Sequence, residues 1–307
     1  MNTRLALAAS LVLAASGLGG LPLEAQSVGY SIGAQYATGS YIFDERIHAF
    51  YLTNTLRLKG SRLEVSASVP LVVQNGGLVS LVAGGVPVPT GGEQAAVVAS
   101  RRRGETVGTR KGPGAGGPGG AGGGAALQTT TTVTQATDSV FFEEGVETHL
   151  ADPMLSASVE IKSGFGTLRS LRVNAAAKVP ATDVSSGVGT GEWDYGAGAS
   201  MVFGLGSVLA FADLQYWWLG DLPELELSDG LSYGLGLGRS VFQGEGTLLL
   251  TLTGMSRTIS SMDAPVSAAL SLGRNLSERA FLTVGAGAGL TEAAPDFFAS
   301  VGVSFGR

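Results

Sequence analysis

The sequence predicts an all-β fold: a transmembrane antiparallel β-barrel of about twelve strands with one long Gly-rich external loop. Three observations carry that expectation. Segments of about eight to eleven residues repeatedly alternate apolar with small or polar side chains, as strands with one face in lipid do. Beyond residue 25 no uninterrupted apolar run reaches the ~18 residues of a spanning helix. Finally, 44% hydrophobic and only 14% charged residues are unusual for a soluble globule, and a chain this apolar without helical spans has a closed barrel as its membrane solution.

Residues 1–25 read as a secretory signal peptide. Arg4 supplies the positive start, 5–18 the apolar stretch, and Leu23-Glu24-Ala25 a cleavage end before Gln26. The remainder, 26–307, is expected to form the barrel as one domain.

The first strand, 27–36, points Val28, Tyr30, Ile32, Ala34 and Tyr36 outward, with Ser27, Gly29, Ser31, Gly33 and Gln35 inward. Strands at 48–58 and 62–69 follow, the first with Phe50, Leu52, Leu56 and Leu58 outward, the second with Leu63, Val65, Ala67 and Val69. The span 74–150 then breaks the alternation. It carries Arg101-Arg102-Arg103, a Gly- and Pro-rich run and Thr129 to Thr132, with low complexity across 101–137, so it is expected as a long external loop. Alternation resumes at 155–161, 171–179, 193–203, 208–218, 231–239, 247–255, 266–273, 281–290 and 297–305. An even strand count lets both ends of the chain sit on the periplasmic side.

Connections mostly alternate short and long, as outer-membrane barrels require. Every proline beyond the signal, from Pro70 to Pro295, falls on the expected external side, where its missing N–H costs no ladder bond. Outward aromatics cluster near strand ends. Tyr36, Phe50, Trp193, Tyr195, Tyr216, Trp218 and Tyr233 would ring one interface, and Tyr30, Phe203 and Phe305 the other.

Little in the chain suggests catalysis, and no enzyme activity is expected. Cysteine is absent, so thiolate chemistry, disulfides and a lipoprotein anchor are excluded. Only His48 and His149 could serve a histidine mechanism. His48 lies near a rim without a Ser at strand spacing, and His149 sits among Glu143, Glu144, Glu147 and Asp152, a solvated acidic loop. Gly187-Val188-Gly189-Thr190-Gly191 opens no helix, so it is no phosphate cradle. No cofactor or metal motif is present. A net charge of −6 without basic–aromatic interleaving argues against nucleic acid as a partner.

The inward ionisable residues are the candidate site. Arg57, Arg62, Glu64, Glu160, Lys162, Arg172 and Lys178 come from four consecutive strands, with Asp194 and Asp213 on the next two. Mixed signs in a narrow barrel should pair, because an unpaired confined charge is costly. They either line a pore that orients a solute or form a salt-bridged internal plug. Phe211, Trp217, Phe281 and Phe298 also point inward, which suits small apolar or aromatic solutes and is equally explained by simple packing of a small barrel.

Lys178-Val179-Pro180, followed by Gly187-Val188-Gly189-Thr190-Gly191-Glu192-Trp193-Asp194-Tyr195-Gly196-Ala197-Gly198, resembles the outer-membrane transporter family labelled MetA-pathway of phenol degradation. Ala210-Phe211-Ala212-Asp213-Leu214-Gln215-Tyr216 fits the same pattern, and Gly145-Val146-Glu147-Thr148-His149-Leu150-Ala151-Asp152-Pro153 fits it more loosely. The resemblance covers 28–73 and 145–307. It implies an outer-membrane barrel conducting small or hydrophobic compounds, with no catalytic residue to carry over. The Arg/Gly/Thr-rich insertion departs from it, and so does the terminus, which runs two residues past Phe305.

The resulting expectation is a monomeric, porin-like barrel of a Gram-negative outer membrane. Its partners are membrane lipid, lipopolysaccharide, the barrel assembly machinery and a small-molecule solute. The alternative is a non-conducting structural or surface-interaction barrel that presents the long loop.

Overall fold

A computed structural model describes residues 27–41, 46–75, 80–82, 86–88, 146–182, 188–220, 227–259 and 262–306. The expected signal peptide and most of the 74–150 loop lie outside these residues.

The chain forms β1 (Ser27–Gly39), β2 (Ile47–Lys59), β3 (Leu63–Asn75), β4 (Ser80–Val82), β5 (Val86–Val88), β6 (Val146–Leu150), β7 (Met154–Phe165), β8 (Leu168–Lys178) and β9 (Asp194–Leu205). It continues with β10 (Val208–Trp218), β11 (Gly230–Val241), β12 (Gly246–Met255), β13 (Val266–Ser277), β14 (Ala280–Gly289) and β15 (Phe297–Gly306). Sequential neighbours pair antiparallel from β7 to β15. β15 then pairs with β1, β1 with β2, and β2 with β3, which returns to β7 and closes the wall. β6 and β7 both pair with β3 and act as one broken wall strand, giving a closed twelve-strand barrel. β4 and β5 form a separate hairpin.

Each of the twelve expected strands coincides with a wall strand. Closure satisfies every ladder within the wall, which hydrocarbon demands because it offers no competing hydrogen bonds. Short turns at 60–62, 166–167, 206–207, 242–245 and 278–279 occupy the end that holds both Ser27 and Gly306. In the 206–207 turn Gly206 takes φ +66°, a conformation that a side chain would strain. The longer connections occupy the opposite, loop end.

The outer face is bare. Leu56 (40%), Val173 (50%) and Val284 (49%) are exposed, so among the described residues no second protein layer covers this apolar surface, and lipid is its physical complement. At the loop end outward aromatics stack in pairs: Trp193 on Tyr195 at 5.8 Å, and Tyr216 edge-on to Trp218 at 5.1 Å. They suit the amphipathic interface of a membrane.

Three details correct the sequence expectations. β1 and β3 run on to Gly39 and Asn75, beyond the expected ends, because the barrel interior is packed there. Ala37, Thr38 and Gly39 are all buried, and alternation with it disappears. Pro70 lies inside β3, not past its end. Its carbonyl accepts from Ala151 N at 2.9 Å, so its missing N–H faces the 151–153 bulge, where no ladder bond is owed. Arg62 lies in the β2–β3 turn, exposed, and not on a lumen-facing strand position.

The lipid face predicts a depth-dependent response. Leu235→Arg, at the middle of β11, should destabilise the barrel by ~2–4 kcal/mol, whereas Leu205→Arg, beside a turn, should cost only ~0–1 kcal/mol. Urea unfolding in lipid vesicles measures both. Equal costs would contradict a bilayer around this wall.

Candidate functional site

The lumen holds a charged cluster toward the turn end, a cavity that runs from mid-barrel to the loop end, and a packed core beside that cavity. Toward the turn end, alternation on β2, β3 and β8 brings three charged groups together. Glu64 accepts from Arg57 Nε at 3.0 Å and from Arg172 Nη2 at 3.2 Å, one carboxylate bridging two guanidinium groups. Glu160 stands opposite Arg172 in the β7–β8 ladder and accepts from the Ser170 hydroxyl at 3.2 Å. A bulge at Ile161 shifts the register so that Lys162 faces Leu171 in the ladder, and the side chain of Lys162 lies outside the described residues.

Along the lumen, large inward aromatics rest on glycines of neighbouring strands. Phe211 lies over Gly236 and Gly238, Phe281 over Gly273, Phe298 over Gly287 and Trp217 over Gly196. A methyl group built on Gly273 would meet the Phe281 ring at 2.3 Å, so the glycine supplies the room the ring occupies.

A cavity of about 660 Å³ runs from mid-barrel to the loop end, where Pro265, Ala294 and Pro295 line it, and its size is within the range of small-molecule sites. Its wall includes Gln35, Ser156, Asp213, Gln215, Thr253 and Phe298. Along β10 the inward residues Phe211, Asp213, Gln215 and Trp217 form a column with steps of ~6.6 Å. Asp213 receives the Asn174 amide at 3.4 Å and a hydrogen bond from Ser200. Trp217 is buried and donates its indole N–H to Ser232 Oγ at 3.0 Å.

The loop-end layer is packed. Ala37, Ala49, Tyr51, Val72, Ala151 and Val188 form an apolar core inside the barrel, with Phe298 against it. Beside them Lys178 is 1% exposed. Its ammonium lies 2.9 Å from Asp194 and 3.6 Å from Asp152, and it donates to Thr190 Oγ1. These acids also hold the loops. Asp152 Oδ1 accepts from Ala181 N (3.0 Å), Thr182 N (3.0 Å) and Thr182 Oγ1 (2.6 Å), and Asp194 accepts from Gly220 N at 3.0 Å. In the neighbouring loop, burial and the Asp296 carboxylate push the Tyr41 hydroxyl above its ordinary range.

Of the candidate residues, the structure thus groups Arg57, Glu64, Glu160 and Arg172 near the turn end. It sets Asp213 at the cavity and seals Lys178 and Asp194 into the loop-end packing. Phe211 and Phe281 face inward over glycines, and Arg62 joins none of these groups. His48 lies on the outer side, where its Nδ1 meets the Tyr36 hydroxyl at 2.6 Å. His149 lies in β6, opposite Val72. Among the described residues no group of three His, Asp or Glu side chains is arranged to hold a metal.

Asp152 was missed as a lumen residue because it was read with the acidic loop. The one-residue register change between β6 and β7 turns it inward. Its trace in the sequence is a change of phase: Thr148 and Leu150 face out at even positions, whereas Leu155 to Ile161 do so at odd ones.

No family model matches this chain, and no curated protein matches it. Solved structures share the architecture. An outer membrane channel from Pseudomonas putida F1 aligns with a TM-score of 0.55 at 12% identity, over 94% of this chain and 97% of that one. The NanC porin aligns with a TM-score of 0.50 at 8% identity, over 90% and 98%. At such identities the likeness establishes the outer-membrane barrel fold. The phenol-degradation label of the resemblance finds no match.

The buried lysine carries a stability prediction. Lys178→Met leaves two carboxylates buried without their cation and should cost ~3–5 kcal/mol. Adding Asp152→Asn and Asp194→Asn should restore much of the loss. Denaturant unfolding measures this, and an unchanged midpoint for the single variant would show that the cluster holds nothing.

Proposed function

We propose that this chain is a channel of the bacterial outer membrane for small solutes with an apolar or aromatic body. The observation that carries this reading is the mid-barrel cavity, where hydroxyl, amide and carboxylate groups share the wall with Phe298 and Trp217. A barrel kept only as a scaffold has no need of such a space, and a twelve-strand wall can be filled by side chains alone. The fold shared with an outer membrane channel supports the reading. Closure of the wall supports a monomer, since it leaves no strand edge for a second copy. Among the described residues His48 pairs with a tyrosine on the outer side, away from the cavity lining.

The packed loop-end layer favours a second reading, a barrel that conducts nothing and displays its loops. Reconstitution in planar bilayers separates the two. Discrete single-channel currents are expected from the folded protein, and silence from a correctly folded barrel would overturn the channel reading. In the same assay Glu64→Gln should shift the reversal potential toward anions, because it removes the carboxylate that both Arg57 and Arg172 contact in the lumen.

A further inference from the structure

We infer that the cavity is a recognition site for organic ammonium compounds, with Asp213 as the counter-charge. The inference rests on the channel reading and deepens it by assigning the head group of the solute.

The charges of the lumen divide unevenly. Arg57 and Arg172 are both bound to Glu64, and Lys178 is enclosed by two aspartates and a threonine. Asp213 is different. Its contacts are the amide of Asn174 and the hydroxyl of Ser200, both neutral. Arg172 shares the cross-strand row with it, through Ser200, but its guanidinium is turned toward Glu64. The described cavity lining contains one carboxylate, Asp213, and no Lys, Arg or His.

A half-buried carboxylate facing a confined space, between walls of low dielectric, attracts a cation more strongly than one at an open surface. The rest of the lining defines the remainder of the ligand. Gln215, one step along β10, adds a neutral amide side chain to the same lining. Ser156, Ser232, Thr253 and Ser267 add neutral polar contacts. Trp217 lies two steps from Asp213, ~13 Å along the strand, and Phe298 reaches the same space from β15. Their rings suit an apolar body that extends from Asp213 toward the loop end. A carboxylate-bearing solute would meet Asp213 as a like charge and find no described cation on the lining to answer it.

The test compares three probes of one shape: benzylammonium, benzyl alcohol and benzoate. In planar bilayers benzylammonium should block the single-channel current at a concentration about tenfold lower than the other two. Asp213→Asn should abolish that difference and move the reversal potential in a KCl gradient away from cations, whereas Asp213→Glu should retain the preference. A second readout does not depend on conduction. With Trp193 and Trp218 replaced by Phe, Trp217 emission in detergent should respond saturably to benzylammonium and not to benzoate, and Asp213→Asn should lose the response.

A silent barrel whose Trp217 still responds in this way would overturn the channel reading and uphold the site. Equal block and equal fluorescence response to all three probes would overturn the site and leave the channel standing. If Asp213→Asn fails to fold, Asp213→Glu and the probe series on the unaltered chain decide the matter.

Discussion

In hydrocarbon, an unpaired backbone N–H or C=O has no solvent to turn to, and the whole molecule is organised around that constraint. The pairing of β15 with β1 removes the last free edge. Closure in turn divides each strand into a lipid face and a lumen face, so the period-two pattern becomes a division between solvents. The bulges at Ile161, Arg169 and Leu276 fall near the turn end, where a local break in the ladder lies close to water.

Inside the wall, electrostatics joins the apolar packing of the loop end as an ordering force. A charge confined in a narrow lumen is costly unless paired, and the structure meets this cost in two ways. Near the turn end one carboxylate bridges two arginines, leaving the groups part-exposed. At the loop end a lysine is buried outright between two aspartates, and those aspartates also bind backbone N–H groups of the loops. The second arrangement ties the connecting segments 179–182 and 219–220 to the wall, so loop position and barrel register depend on each other.

Elsewhere in the lumen the packing relaxes. Glycines beneath Phe211, Phe281 and Phe298 let large rings lie against the wall. A polar and aromatic cavity lies beside the packed core and reaches Asp213 at mid-strand.

All twelve wall strands were legible in the chain because side-chain alternation is a local property with a fixed period. The facing of β10 was less legible, because Phe211 and Trp217 point the same way as Asp213 and contradict a polar interior. What the sequence could not reveal is which inward groups meet. Glu64 reaches Arg172 from a strand more than one hundred residues away, and Lys178 finds Asp152 only because a bulge reverses the face of that strand. Alternation also fades at the loop end, where both faces of the chain are covered, so strand ends such as Gly39 and Asn75 carried no signal. The sequence by itself therefore determined the architecture and the two faces of the wall, whereas the ion-pair partners, the packed loop end and the cavity were decided by cross-strand register, a non-local quantity that appears only once the barrel closes.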